Sequence, residues 1–458
     1  MSIIRVTVLG AAVGALTACA PGPVEVASWP EPRPIGRHLP TAPGPDTVTA
    51  PEVEPLTGSI TLRQALAAAL LRSPALSAYA YDVRAAEADV IQASVLPNPT
   101  IEFEVEEFAG TNDRAGFTSA EESIRLSQVI ELGGKRSARH TLAAAKAAVS
   151  GWDYEIQRIS VLCRTAADYI ALISAQRQYE WSGQAMQLAQ QVADAIEARV
   201  ESGKSPPLER SKARVLMAQA TLEHNRAERE LATARIRLVS NWGADEPAFA
   251  MATGDLDAVT APPELDDILG QIEANPELAR WAAVLSVSQA EHHLAQTQRT
   301  SDLKVGAGLS YYNETDDVAF SAGVSLPLQI FDRNDGAIAA ARMRLLGDRR
   351  RMELAQVAVR SELTRIHLDL ESAFLELQAL ERDMLPAAQD AFDSAQHAFR
   401  SGKVGALDLL DAQRTLIGSH RQLLDAETTY HLTLIRAEQL IGAPLHGSTI
   451  DTALGENE

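Results

Sequence analysis

Three glutamates in one short segment are the first residues whose spacing could do chemistry. Glu102, Glu104 and Glu106 alternate with Ile101, Phe103 and Val105. In a strand successive side chains go to opposite faces, so this pattern sets an acidic face against an apolar one. Lining a closed barrel, such a face favours cations or simply keeps the inner wall wet. The other candidates fall away on spacing. Glu291-His292-His293 lacks the His-x-x-x-His repeat of a zinc pair and has no cysteine partner, and His367, His397, His420 and His431 lie far apart. Gly203-Lys204-Ser205 ends like a phosphate-binding loop, but Ala198 stands where the earlier glycine belongs, and a long helical pattern rather than a strand precedes it. No Ser, His and Asp arrangement stands out. The residues therefore predict no enzyme activity, no metal centre and no cofactor, and point to a passive conduit.

The acidic face needs strands to carry it. Residues 100–108 and 123–132 form one alternating pair, and 303–312 and 318–328 a second. Each run is roughly 9 to 11 residues, the length that a tilted strand needs to cross a bilayer. Taken alone, the same strands also fit half-buried hairpins of a soluble α+β domain. A barrel made of them requires several copies, because four strands cannot close without exposed edges. Three copies would give twelve strands and a lumen, faced by the glutamates and by the small residues Gly306, Gly308, Ser321 and Gly323. Between the strand pairs, three- and four-residue apolar spacing predicts long helices over 134–199 and 336–400. At 1.5 Å per residue each is on the order of 100 Å long. Shorter helices over 61–96, 207–242, 265–299 and 407–441 have about half that length, so pairs of them match one long helix in antiparallel coiled-coil hairpins. Residues 243–263 are then an excursion between two short helices.

Two halves repeat this order. Ser73-Pro74-Ala75-Leu76 matches Asn275-Pro276-Glu277-Leu278, and Ser202-Gly203-Lys204 matches Ser401-Gly402-Lys403. The expected domains are a first repeat over 59–264, a second over 265–445, and a tail over 446–458. At the other end, Arg5 and a short apolar run read as an export signal. That run closes on Leu16-Thr17-Ala18-Cys19, which resembles the lipobox of bacterial lipoproteins. The resemblance implies cleavage of residues 1–18 and acylation of Cys19, and Ala20 in place of Asp favours outer-membrane sorting. Residues 19–58 are rich in proline and lack periodicity, so they read as an extended tether. The remaining thiol, Cys163, falls in an apolar helical pattern and reads as core. A net charge of -20 excludes nucleic acid as a partner.

Leu96-Pro97-Asn98-Pro99-Thr100, the segment from Glu104 through Gly110, and Glu131-Leu132-Gly133-Gly134-Lys135-Arg136 together resemble the TolC-type outer-membrane efflux proteins, in their cobalt-zinc-cadmium branch. The resemblance covers 61–444. It implies a mainly α fold with a small β part: long antiparallel coiled coils forming an α-helical barrel, and four transmembrane strands per chain in a homotrimer with a twelve-stranded barrel. It also implies a lipid-anchored outer-membrane channel reaching into the periplasm, whose partners are a periplasmic adaptor and an inner-membrane RND pump. The implied cargo is divalent heavy-metal cations, or alternatively organic toxicants. A periplasmic coiled-coil structural lipoprotein is the reading from another class. Asp408 and Asp411 resemble the family's Asp-x-x-Asp pair at the periplasmic gate. An ordinary helix start with Asp at the positive dipole end fits them too. Arg199, Gly203, Lys204, Arg400, Gly402 and Lys403 lie at the hairpin tips that meet the adaptor in the family.

Overall fold

The computed structural model describes residues 29–37, 39, 56–257 and 259–445. The leader, Cys19, most of the proline-rich segment and the tail 446–458 lie outside the described residues. In chain order the elements are β1 (Gly58–Ile60), α1 (Leu62–Arg72), α2 (Pro74–Ser94), β2 (Thr100–Glu106), β3 (Glu121–Ile130), α3 (Lys135–Glu201), α4 (Pro207–Ser240) and β4 (Phe249–Ala252). There follow α5 (Leu265–Gly270), α6 (Pro276–Thr297), β5 (Leu303–Tyr312), β6 (Asp317–Ser325), α7 (Asp335–Ala379), a π-helical turn (Leu380–Met384), α8 (Leu385–Arg400) and α9 (Ala406–Ile441).

The helices expected over 61–96 and 265–299 are each broken, at matching places. Proline has no amide hydrogen to donate and pushes the residue before it out of the helical region. Accordingly Ser73 takes ψ 118° ahead of Pro74, and Asn275 takes ψ 123° ahead of Pro276. The Asn275 side chain then caps α6, its Oδ1 accepting from the Leu278 N–H at 2.8 Å. Thr61 and Gln64 form a capping box at the start of α1.

Described residues fall into two compact units. The first contains Asp82–Gly151 and Arg280–Glu353, with Trp29 and Pro30. Its centre is an antiparallel sheet in the order β2-β3-β5-β6. The registers carry the sequence alternation across all four strands. Phe103, Ile124, Leu309 and Phe320 share one row, while Glu102, Arg125, Gly308 and Ser321 share the next. One face is thus apolar and the other polar. Phe103 and Phe320 are 68% and 85% exposed, and the edges β2 and β6 have no strand partner among the described residues. An open sheet with a bare apolar face must be covered by something beyond the described residues. Where β3 passes into α3, Lys135 pairs with Asp302 at 2.8 Å and Arg139 pairs with Glu131, fastening the helix start to the approach of β5.

The second unit contains Glu31–Tyr81, Trp152–Ala279 and the chain from Leu354 onward. Its core follows a seam of alternating three- and four-residue steps along α7: Val359, Leu363, Ile366, Leu370, Ala373, Leu377 and Leu380, packed against Tyr430, Leu434, Ala437 and Ile441 of α9. Beyond the π turn a second cluster continues with Ala388, Phe392 and Phe399 against Val192, Ile196, Leu409 and Leu416. Cys163 is buried, as expected.

Two features of this unit depart from the expectation. β1 and β4 make a small parallel sheet in addition to the four expected strands. Residues 33–37 of the proline-rich segment are docked onto α3. Arg158, 1% exposed, donates to the carbonyls of Ile35 and Arg33 at 2.9 and 3.1 Å and to the Glu155 carboxylate at 2.7 and 2.8 Å. Glu155 in turn accepts from the Arg33 N–H at 2.6 Å. Ile35 is fully buried, and Gly36, at φ +65°, lies so near Leu162 that an added Cβ would come within 2.6 Å of it. The polar backbone of the segment is satisfied partly by side chains of a distant helix and partly by turn hydrogen bonds from Arg37 to Pro34 and from Leu39 to Gly36, both at 3.1 Å.

Candidate channel face and helical tips

The hairpin tips are built from glycine and the carbonyls of the helix ends. At Gly203 (φ +71°) the Lys204 N–H donates to the Arg199 carbonyl at 2.8 Å and the Gly203 N–H to the Val200 carbonyl at 3.0 Å. At Gly402 (φ +76°) the Lys403 and Gly402 N–H groups reach Ala398 and Phe399 at 2.8 and 3.0 Å. Both are Schellman closures, which need a left-handed residue after the helix and so favour glycine. Lys204, Lys403 and Arg400 are exposed beside them. Arg199 ties the two tips together: its Nη1 donates to the Phe399 carbonyl at 2.6 Å and its guanidinium lies 4.5 Å over the Phe399 ring.

Asp408 and Asp411 lie just beyond the second tip, exposed, in the first turns of α9. Asp408 Oδ2 accepts from the Gly405 N–H at 3.1 Å, so it caps the helix start. Both carboxylates line an open groove of about 680 Å³ between α4 and α9, beside Lys212 and Arg414. Glu102, Glu104 and Glu106 sit in another part of the fold, together on the polar face of the sheet. Among the described residues no three His, Cys, Asp or Glu side chains stand close enough to hold a metal. No described helix is long and apolar enough to cross a membrane.

One cluster was not foreseen. Arg177 of α3 reaches three carboxylates: Asp255 and Asp257 of the loop after β4, each at 2.5 Å, and Glu427 of α9 at 3.3 Å. His431, one turn further along α9 and 3% exposed, donates from Nε2 to the Leu256 carbonyl at 2.9 Å. Tyr430 and Tyr169 donate to the carbonyls of Thr260 and Thr253 at 2.6 Å. Burial, reinforced by the charge of Asp257, pushes the Glu427 carboxyl up to about 7 against the pull of Arg177. Asp255 is held below the usual range, first by the Asp257 N–H and then by Arg177. The only trace of this in the sequence is a charged residue at an otherwise apolar helical position, since its partners are far away in the chain.

An apolar face on one side of a sheet, a polar face on the other and paired helical hairpins are features of a known family of proteins. A family model described as outer membrane efflux protein matches residues 65–244 and 271–443. The chain belongs to that family. The cobalt-zinc-cadmium resistance protein CzcC of Cupriavidus metallidurans is 33% identical over 371 residues, covering 78% of this chain and 84% of that one. The nickel and cobalt resistance protein CnrC of the same organism is 26% identical, covering 67% and 72%. A membrane protein from Pseudomonas aeruginosa has the same fold at a TM-score of 0.72 with 19% identity, covering 88% of this chain and 99% of that chain. As a member of the outer membrane efflux family the chain has its place in the outer membrane, and its four-stranded sheet is the part whose bare apolar face suits lipid.

Proposed function

We propose that three copies of this chain form the passive exit duct of a tripartite RND-type efflux system, conducting divalent heavy-metal cations from a periplasmic adaptor and inner-membrane pump to the exterior. The observation that carries this reading is the open four-stranded sheet, apolar on one face and polar on the other, with both edges unpaired among the described residues. Joining three such sheets edge to edge gives twelve strands, removes every edge and turns the polar face inward. A second feature supports copies meeting copies: Leu208, Val215, Leu222 and Ile236 of α4 form an exposed apolar stripe at multiples of seven residues, the spacing of a coiled-coil seam without its partner. The cargo reading rests on the likeness to proteins named for cobalt, zinc, cadmium and nickel resistance. Cys19 would carry the lipid anchor, the tips at Arg199, Gly203, Lys204, Arg400, Gly402 and Lys403 would meet the adaptor, and Asp408 with Asp411 would ring the periplasmic gate. The chain's own task is conduction without catalysis.

Conductance of the purified protein in planar bilayers tests this reading. Small cation-selective currents, reduced by zinc or cobalt at the periplasmic side, are expected. Asp408→Ala with Asp411→Ala should raise conductance and weaken cation selectivity. A wild type and double variant that both fail to conduct would favour the structural lipoprotein.

A further inference from the structure

On the polar face of the sheet the charges are ordered from one end to the other. The three ladders run without a register shift, so residues directly paired across strands form rungs on a common face. At the end joined to the helices, the first rung contains Lys304 paired with Val129 and Ser325. The second, with Ser127 opposite Gly306, has no charge. In the third, Glu102 faces Arg125 directly, and the pair is neutral. Glu104 is the single charge of the fourth. The fifth, at the end joined by turns, contains Glu106 opposite Glu121, with Asp317 opposite Tyr312 in the same rung. The net charge thus runs from positive, through neutral, to strongly negative. Just beyond it, Glu107 is offset by Arg114 at 2.5 Å.

We infer that cation selectivity in the barrel is decided at its turn-side mouth, by Glu106, Glu121 and Asp317, and that the acidic residue nearest the helices, Glu102, contributes little because Arg125 answers it. This deepens the proposed function and rests on its reading that the polar face lines a lumen. The effect is a field spread over a rung and requires no bound ion. Four rung steps of two residues at about 3.4 Å each separate the ends by about 27 Å along the strands, or roughly 20 Å along the barrel axis after tilt. The Debye length is about 10 Å at 0.1 M salt, so the two ends act separately. A threefold arrangement multiplies the fifth rung into a ring of carboxylates that enriches cations and excludes anions at that mouth. The near-neutral remainder is fed by whichever pool it faces. Currents should therefore be larger when cations enter through the carboxylate mouth than when they leave by it, and the asymmetry should fade near 1 M salt, where the Debye length is about 3 Å.

Single-channel recordings in potassium chloride gradients test the assignment on the full-length protein, with trimer formation checked for each variant. At about 0.1 M salt, with Asp408 and Asp411 already replaced by Ala so that the gate no longer selects, adding Glu106→Gln, Glu121→Gln and Asp317→Asn together should lower the potassium-to-chloride permeability ratio at least severalfold and straighten the current–voltage curve. Glu102→Gln should leave most of the ratio in place, and Lys304→Glu should reduce the asymmetry while keeping selectivity. A conducting gate variant with a symmetrical curve, or one whose selectivity falls as far with Glu102→Gln as with the triple change, overturns this inference and leaves the duct reading standing. A wild type that does not conduct overturns both.

Discussion

Replacing Glu427 by Gln should make the loop after β4 hold more firmly at alkaline pH and remove its response to acid. In the folded chain Arg177 gives both terminal nitrogens to Asp255 and Asp257 at 2.5 Å, which leaves Glu427 a contact of 3.3 Å. The other groups around it are the exposed Glu381 of the π turn, which adds repulsion, and His431, which burial keeps neutral and which spends Nε2 on the Leu256 carbonyl. One cation therefore serves an excess of carboxylates, and the least served is the most buried. Its carboxyl moves from an ordinary 4.5 to about 7 on folding. A folded group that takes up its proton more readily than the unfolded one stabilises fully below 4.5, and that contribution is lost as pH rises through 7. At about 1.4 kcal/mol per pH unit the full span is about 3.5 kcal/mol, of which about 2.5 is gained between pH 8 and pH 5. Amide hydrogen exchange at Thr253 and Val259, corrected for the intrinsic rate, reads the local opening. The wild type should gain roughly tenfold to hundredfold in protection between pH 8 and pH 5. The Gln variant, fixed in the neutral form, should start high and stay flat. Equal profiles for both proteins, or a Gln variant less protected at pH 8, would refute the reasoning, the second by showing that Arg177 needs the third carboxylate.

Arg158→Met should release the docked segment 33–37. Removing one member of a buried pair leaves the Glu155 charge uncompensated, at a cost of about 3–5 kcal/mol. Limited proteolysis should then cut within the segment, while Glu155→Gln combined with Arg158→Met should recover part of the protection; unchanged resistance in Arg158→Met would remove the clasp. Arg199→Ala should part the two tips by deleting a charged hydrogen bond worth about 1.5–3 kcal/mol and a cation–π contact worth about 0.5–1. Spin labels at the exposed positions Lys204 and Lys403 should report a longer and broader distance distribution, which Arg199→Lys corrects only in part because it lacks the planar fork. A distribution identical to wild type would show that the tips are held by something else.

What could be read in the chain beforehand was whatever rests on local periodicity. Ile101-Glu102-Phe103-Glu104 announces a two-faced strand, and the register keeps those faces intact across β3, β5 and β6. Gly203 and Gly402 announce helix ends, because only a left-handed residue allows both closing hydrogen bonds. What escaped depends on partners far off in sequence. Residues 33–37 look unable to build structure because the groups that hold the backbone of Arg33 and Ile35, Glu155 and Arg158, lie more than a hundred residues away. Arg177 looks like a solvent-facing charge until Asp255, Asp257 and Glu427 are brought to it. Pro74 and Pro276 did mark breaks locally, and the expectation of uninterrupted helices gave them too little weight.

The π turn at Leu380–Met384 works as a phase shift. Steps of four and three lead along α7 to Leu380, and the next step of four would fall on Met384, which is 41% exposed. The seam resumes instead at Leu385 and runs on through Ala388, Phe392, Ala395 and Phe399. A single skipped residue has rotated the buried stripe by about 100° relative to an unbroken helix. Pro386 fits the wider turn, since it cannot donate to the Arg382 carbonyl. Grafting hairpin tips between relatives is therefore a question of counting. A chimera keeps its phase when the extra residue and the π turn are exchanged together, whereas one that carries the extra residue into a straight α-helix turns Phe392 and Phe399 out of the core. Deleting one residue inside the turn would instead set Leu385 four residues after Leu380, so that a straight α-helix carries the seam on in phase and Phe392 and Phe399 stay buried.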